Sequence, residues 1–254
     1  MSIGDAEIKT QERVIRFFKD PEILGYQYIG NLSDYQNKNI KEDRLRQYLR
    51  LKGYADKLID AAIMQLQQEA GNLSRGVYDA NKTVYSRLKY GIPVSESPEK
   101  PPVTVQLVDE EKPLNNDFAI AEEVTVVEQS EKRPDLVVYL NGIAVAVIEL
   151  KRSSISVSEG IRQNLTNQKN SFIQSFFTTM QFCMAGNESE GLRYGTLLTG
   201  EKFYMEWKDD GFKEHEEERD PVDVRISKTC EGIENKLLKQ IYAVSYTHLT
   251  LPTN

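Results

Sequence analysis

The sequence predicts an α/β protein in which helices lie on both sides of a mixed central β-sheet. One observation is an apolar ribbon at residues 136–148, whose two halves flank Asn141-Gly142, a strong β-hairpin signal. A second is a series of helix-periodic segments that precede the ribbon. A third is the capping-box spacing of Ser156 and Glu159, which predicts a helix directly after it.

Helical periodicity dominates the first 93 residues. Apolar residues recur at helical spacing in residues 8–19, 39–51, 56–68 and 77–89, which are therefore predicted helices. A short strand is expected at residues 26–29. The proline-rich stretch 95–102 is interpreted as a long loop inside one domain.

Strands are expected at residues 103–108, in the segment 115–127 and at residues 222–226. The apolar stretch 172–184 is predicted to be a helix that ends at Ala185-Gly186-Asn187, and residues 194–207 are predicted to form a hairpin across Gly200. The charged run 209–220 is expected to be a loop, and residues 231–241 a last helix. One domain is expected over residues 1–243, with a helical section at about 1–93, and residues 244–254 are expected to be a non-native tail.

Three charged residues lie at the ends of the apolar ribbon. Asp135 precedes it, and Glu149 and Lys151 follow it. Glu149 and Lys151 are two residues apart and therefore on one face of a strand. With a two-residue turn at Asn141-Gly142, Asp135 and Glu149 would point to opposite faces. We therefore predict a three-residue loop at residues 140–142, or an equivalent bulge, which makes Glu149 the diagonal neighbour of Asp135.

Two carboxylates that meet at a strand end form an oxygen-rich site of the kind that Mg²⁺ prefers. Such an ion lowers the pKa of a bound water and neutralises charge on a phosphodiester, and Lys151 is placed to assist that water. The alternative is an ordinary exposed hairpin end with a solvated Glu149-Lys151 pair. The Asp…Glu-x-Lys pattern is short, so the residues alone leave both interpretations open.

Composition narrows the classes of function. With 32 Lys and Arg against 39 Asp and Glu, the net charge of −7 predicts weak intrinsic affinity for DNA, so that other domains or subunits supply binding. Two histidines and two cysteines disfavour zinc sites and histidine-based triads. The sequence has no P-loop motif, no secretory signal and no apolar run of membrane-spanning length, so we expect a cytoplasmic protein with no membrane partner.

The ribbon reads RPD at residues 133–135, NG at 141–142 and ELK at 149–151. This pattern resembles the PD-(D/E)xK nuclease core in the form found in the restriction (R) subunit of type I restriction enzymes. In that family the ribbon is followed by a helix with a Gln-x-x-x-Tyr motif. Gln163 stands at the position of the glutamine, whereas Asn167 stands where the tyrosine is expected. Residues 192–196 are also similar to the family.

The resemblance implies a restriction-endonuclease-like fold and a set of site residues. It implies catalytic roles for Asp135, Glu149, Lys151 and Gln163. It also implies Mg²⁺ held by Asp135, Glu149 and the carbonyl of Leu150. Two further positions are weaker matches: Glu12, as a first-helix glutamate near the metal, and Asn116, for which a turn asparagine is the preferred interpretation.

The resemblance further implies a metal-dependent endonuclease domain that hydrolyses DNA phosphodiester bonds when coupled to a separate ATP-driven motor. The implied partners are double-stranded DNA, the motor domains of the R subunit, and the modification and specificity subunits. ATP would act only through motor domains absent from this chain, which we therefore interpret as a nuclease-end piece or a truncated product. Two alternatives remain: a non-catalytic docking module of the restriction complex, and another PD-(D/E)xK nuclease, such as an Mrr-like or repair enzyme.

Overall fold

A six-stranded mixed sheet forms the centre of the computed structural model, which describes residues 3–97, 99–207, 229–230 and 232–245. The strands of the described part are β1 (Gln27–Asn31), β2 (Ile92–Val94), β3 (Val103–Val105), β4 (Phe118–Glu122), β5 (Val126–Val127), β6 (Glu131–Lys132), β7 (Leu136–Leu140), β8 (Ile143–Leu150), β9 (Phe182–Asn187) and β10 (Gly191–Gly195). The order in the central sheet is β1-β4-β7-β8-β9-β10. The pairs β1-β4 and β8-β9 are parallel and the other neighbours are antiparallel. The strands β2 and β3, and β5 and β6, form two small accessory sheets.

Helices cover both faces of the sheet, which confirms the predicted α/β class. They are α1 (Ile3–Lys19), α2 (Glu42–Leu51), α3 (Asp56–Gly71), α4 (Val77–Tyr90), α5 (Val157–Asn167) and α6 (Lys236–Val244). Helices α1, α2, α3 and α6 pack on the face that carries Leu136, Val138 and Ile148. The 3-10 segment Gln174–Thr179 packs on the opposite face, where α5 also lies. None of these described helices has the length and apolarity needed to cross a bilayer.

The predicted elements before the ribbon are confirmed: α1 to α4 and β1 lie within a few residues of their expected positions. The helix after the ribbon is also confirmed, because Ser156 caps α5 by accepting a hydrogen bond from the backbone N–H of Ser158. Helix α6 begins at Lys236, later than expected. The expected strand at 222–226 and the charged run 209–220 lie outside the described residues, as do residues 246–254 of the expected tail 244–254. The first residue of that tail, Val244, ends α6 and is buried.

Two predictions after the ribbon are wrong. The apolar stretch 172–184 is not a helix, because it divides into the 3-10 segment Gln174–Thr179 and the start of β9. In a short apolar run, periodicity cannot distinguish a buried helix from a strand that is covered on both faces. The strand β9 is of this kind, because it lies between β8 and β10 in the sheet and is buried. Residues 194–207 do not form a regular hairpin: only an isolated bridge joins Tyr194 to Met205.

The hairpin of β7 and β8 combines a two-residue turn with a bulge. Leu140 pairs with Ile143, so the predicted three-residue loop is wrong, and both turn residues take the left-handed conformation (φ of 52° at Asn141 and 83° at Gly142). The register then shifts by one, because Val138 pairs with Ala146 while Tyr139 pairs with Ala144. The bulge that was the alternative to that loop is therefore confirmed.

The bulge decides which face Asp135 shares with Glu149. Beyond it, Leu136 pairs with Ile148, so the next residues along the two strands, Asp135 and Glu149, lie opposite each other. Directly opposed residues of antiparallel strands point to the same face. Glu149 is thus the direct neighbour of Asp135 and not the diagonal neighbour that was predicted.

The turn of this hairpin is buried. Nδ2 of Asn141 donates hydrogen bonds to the carbonyl of Leu107 (2.8 Å) and to Oδ1 of Asn116 (2.8 Å), and its Oδ1 accepts one from the N–H of Asp117 (2.7 Å). The carbonyl of Gly142 accepts a hydrogen bond from the N–H of Lys41 (2.7 Å), at the start of α2. Asn116 is therefore a structural asparagine that holds the turn, in agreement with the preferred interpretation.

We predict that Gly142→Ala destabilises the protein far more than Gly53→Ala. Both glycines have the left-handed conformation (φ of 83° and 84°), which costs an alanine about 1–2 kcal/mol. A Cβ atom at Gly142 would lie 2.7 Å from the carbonyl oxygen of Lys41, whereas one at Gly53 would meet no atom within 4 Å.

Urea unfolding followed by circular dichroism measures the difference, with Gly53→Ala as the matched control. We expect a loss of unfolding free energy of about 1 kcal/mol for Gly53→Ala and of about 3 kcal/mol or more for Gly142→Ala, because the backbone of α2 must move. Equal losses for the two variants would mean that the turn is not held against α2.

Candidate active site

Two carboxylates meet where β7 begins and β8 ends. Asp135 lies directly before β7, and its Oδ2 accepts a hydrogen bond from the backbone N–H of Leu150 (2.7 Å). Glu149 is the second-last residue of β8 and its side chain is 0% exposed. The bulge in β8 places both side chains on the same face of the sheet, so the hairpin itself brings the two acids together.

Lys151 completes the cluster from the residue after β8. Its Nζ atom lies 4.0 Å from Oε2 of Glu149 and 3.6 Å from Oε1 of Glu7 in α1, and it donates a hydrogen bond to the carbonyl of Leu150 (3.1 Å). The structure therefore brings together Asp135, Glu149, Lys151 and the Leu150 carbonyl. The alternative interpretation, a solvated Glu149-Lys151 pair at an exposed hairpin end, is wrong because Glu149 is fully buried.

Small residues pack closely against Glu149 at the floor of the site. Glu149 pairs with Ala185 of β9, and Gly160 of α5 lies above both. A Cβ atom at Gly160 would be 3.0 Å from the Cβ of Ala185 and 3.4 Å from the Cβ of Glu149. Gly160 thus allows α5 to approach the sheet closely, which explains a glycine in the first turn of a helix.

Burial is the main cause of the raised pKa of both carboxyl groups. Among the described residues, neither oxygen of Glu149 has a hydrogen-bond partner. Burial, followed by the negative charge of Asp135, raises the pKa of Glu149 well above its ordinary value. Burial also raises the pKa of Asp135 to about 6, although Lys151 and the N–H of Leu150 oppose this shift. A buried carboxylate without a donor is an unfavourable arrangement that a cation relieves.

Gln163 and Glu12 lie at the periphery. Gln163 is half-buried on α5. Its side chain makes no hydrogen bond to a described residue, so its role stays a prediction. Asn167, one helical turn further on, is buried. Glu12 is exposed on α1 and lines a cleft of about 660 Å³ that also contains Asp135.

Glu7, which no sequence pattern singled out, lines this cleft, and its Oε1 lies 3.6 Å from Nζ of Lys151. Glu7 and Gln11 are one helical turn apart, and Gln11 donates hydrogen bonds to Glu122 (2.9 Å) and Glu123 (3.2 Å) at the end of β4. The spacing of Glu7 and Gln11 shows in the sequence that their side chains share one face of a helix. It does not show that this face of α1 lies over the end of the sheet.

The donor set fits a hard divalent ion bound partly by water. Within the described residues, no group of three or more His, Cys, Asp and Glu side chains is arranged to hold a metal. Two carboxylates and a backbone carbonyl are present, which is the kind of partial oxygen shell that Mg²⁺ completes with water and substrate phosphate. The unpartnered oxygens of buried Glu149 support this fit.

A comparison with protein families matched residues 7–203 to the N terminus of the type I restriction enzyme R protein. The chain belongs to this family. The match to the R protein N terminus includes Asp135, Glu149 and Lys151 and extends from α1 through β10, so it covers all the elements that build the site. A search of curated proteins found no match. The resemblance inferred from the RPD, NG and ELK segments is thereby confirmed at the level of the family.

We predict that the site makes the metal-free protein less stable as the pH rises. Because the pKa of each carboxyl is higher in the folded than in the unfolded state, the folded protein binds more protons between the two values. The unfolding free energy therefore falls from about pH 4 to about pH 6 for Asp135, and further at higher pH for Glu149.

Urea unfolding in EDTA at about pH 4.5 and about pH 8 measures this fall. Asp135→Asn should reduce it by about 1–2 kcal/mol, and Glu149→Gln should also reduce it. Glu69→Gln is the control that should leave this fall nearly unchanged. Burial would raise the pKa of Glu69, but the bidentate bond to Arg87 outweighs it and lowers the pKa, so protonation of Glu69 affects stability mainly below about pH 4.5. An unchanged fall in both site variants would contradict the burial of the two charges.

Proposed function

We propose that this domain is a metal-dependent DNA endonuclease of a type I restriction-modification system, with Mg²⁺ held by Asp135, Glu149 and the carbonyl of Leu150. The observation that carries the proposal is Glu149, which is fully buried beside Asp135 with both oxygens unpartnered among the described residues. Membership of the R protein family supports the assignment to restriction.

A structural role alone does not explain this glutamate. An ionised carboxylate in a protein interior costs several kcal/mol, and the ammonium of Lys151 at 4.0 Å compensates only in part, so burial raises the pKa of Glu149. Ala185 and Gly160 pack closely against Glu149. Retention of an ionisable group in such a place is typical of functional sites, where burial and like charges shift pKa values.

The residues of the chain have separable roles in phosphodiester hydrolysis. A bound Mg²⁺ supplies Lewis-acid chemistry, lowering the pKa of water and neutralising phosphate charge. Lys151 carries three donors, of which one goes to the Leu150 carbonyl, and its ammonium also faces Glu7 and Glu149. It is therefore placed beside both carboxylates to orient an attacking water or a phosphate oxygen. The N–H of Leu150 fixes one oxygen of Asp135. Gln163 is proposed to support the site from α5.

We also propose that cleavage depends on an ATP-driven motor outside this chain. The sequence carries no P-loop, and the net charge of −7 favours weak DNA binding by the domain alone. The proposed partners are double-stranded DNA, the motor domains of the R subunit, and the modification and specificity subunits. A cytoplasmic location is also proposed, because the proposed partners include double-stranded DNA.

We predict that the protein binds Mn²⁺ or Mg²⁺ through the two carboxylates. Calorimetric titration should show binding in the wild type and at least about tenfold weaker binding in Asp135→Asn and Glu149→Ala. Lys151→Ala should retain the metal, because it removes no ligand. Glu69→Gln, far from the site in sequence and paired with Arg87, serves as the control.

Nicking of plasmid DNA in Mg²⁺ or Mn²⁺ tests the chemistry. We expect Asp135→Ala and Lys151→Ala to abolish any nicking by the wild type, since one removes a ligand and the other the assisting ammonium. Persistent cutting by both variants would rule out this site. Metal binding without nicking would assign the limiting step to the motor, whereas absence of metal binding would favour a docking module.

A further inference from the structure

One basic side chain lines the cleft beside Asp135 among the residues that the structure describes. It belongs to Arg133, whose side chain is 56% exposed and whose Nε atom lies 2.7 Å from Oε2 of Glu123. The other charged residues of the cleft are acidic: Glu7, Glu12, Glu122, Glu123 and Asp135. Any phosphate that approaches Asp135 through this cleft therefore meets carboxylates and a single guanidinium.

Glu123 is held rigidly on the wall of the cleft. Its backbone has the left-handed conformation (φ of 51°), which is unfavourable for a residue with a side chain. Its N–H donates a hydrogen bond to the carbonyl of Asp135 (2.8 Å), and its Oε1 accepts one from Nε2 of Gln11 (3.2 Å). The remaining oxygen, Oε2, is the one that Arg133 contacts.

We propose that Arg133 is the DNA-phosphate contact of this cleft, and that Glu123 restrains it until a phosphodiester displaces the carboxylate. The proposal rests on the function proposed above for its substrate, double-stranded DNA. It adds a binding residue and a restraint that neither the ribbon motif nor the metal site requires.

The chemistry of the pair favours such an exchange. An exposed ion pair contributes little to stability and is easily broken, so a phosphate can replace the carboxylate. The planar guanidinium binds two oxygens of a phosphate at once, which makes it a better partner for DNA than for a single carboxylate oxygen. Glu123 also repels the phosphodiester by its charge. Arg133 lies two residues before Asp135, so a phosphate that it holds is next to the metal site.

The chain provides a matched control in Arg162 on α5. Its side chain is 55% exposed, which matches Arg133, and it pairs with Glu201 through Nε and Nη2 and with Glu159 through Nη1. Neither Arg162 nor Glu201 lines the cleft. Arg162→Gln changes the net charge by the same amount as Arg133→Gln, and Glu201→Gln by the same amount as Glu123→Gln. Neither control changes the proposed phosphate contact.

The test is fluorescence anisotropy with a short labelled DNA duplex at about 50 mM salt and below. All variants carry Asp135→Asn and are measured in EDTA, so that the result does not depend on metal binding or cleavage. Failure of the metal titration would contradict the proposed nuclease without affecting this measurement. Urea midpoints check that each variant folds, which is expected for exposed Arg133.

Arg133→Gln should weaken DNA binding by about five- to tenfold and reduce the salt slope by about 1. Glu123→Gln should tighten binding by a similar factor, and at least half of that gain should disappear in the Arg133→Gln background. Arg162→Gln and Glu201→Gln should change affinity by less than about twofold.

Three results would overturn the proposal. Equal losses in Arg133→Gln and Arg162→Gln would show that DNA responds only to net charge. A gain from Glu123→Gln that is more than half retained without Arg133 would show that Glu123 repels DNA directly and restrains nothing. Absence of DNA binding both by the protein that carries only Asp135→Asn and by its Glu123→Gln variant would show that the cleft does not receive a phosphodiester.

Discussion

The burial of Glu149 is the constraint on which the rest of the site depends. Its carboxyl group lies inside a sheet flanked by helices, opposite Asp135 and without a donor among the described residues. Burial raises the pKa of both carboxyl groups, and the negative charge of Asp135 raises that of Glu149 further. Lys151 offsets part of this cost, and the proposed divalent cation would match the arrangement in its charge and its preference for oxygen.

The approach of the two acids depends on a contact at the other end of the same hairpin. The Asn141-Gly142 turn is fixed by Asn116 and by the start of α2, and the one-residue bulge next to it shifts the register of β8. Without the bulge, Glu149 would point to the opposite face of the sheet from Asp135. The geometry of the site is therefore set by packing several residues away, where substitutions act through register and not through chemistry.

The electrostatics of the cleft agree with the proposed dependence of cutting on a separate motor. A cleft lined mainly by carboxylates attracts cations and opposes DNA, and Arg133 contacts Glu123. On this proposal the domain alone has low affinity for DNA, and other parts of an R protein bring the duplex to it. This division of labour agrees with the membership of the chain in the R protein family and with its net negative charge.

Local pattern alone was enough to predict the helices α1 to α4, the ribbon with its Asn-Gly turn and the cap of α5, because each depends on residues close together in sequence. For Asp135, Glu149 and Lys151 it left a solvated hairpin end open, and the resemblance to the R subunit family pointed to a site. Tertiary structure decided the register of the hairpin, since a bulge leaves no mark in the alternation of apolar residues. It also placed residues 182–187 in the sheet as β9, between β8 and β10. The sequence did not reveal this strand, because a strand buried on both faces lacks the alternation of apolar and polar residues. The positions of Glu7 and Glu123 around Asp135 depend on the packing of α1 and of the end of β4 at this end of the sheet, which no short sequence window contains.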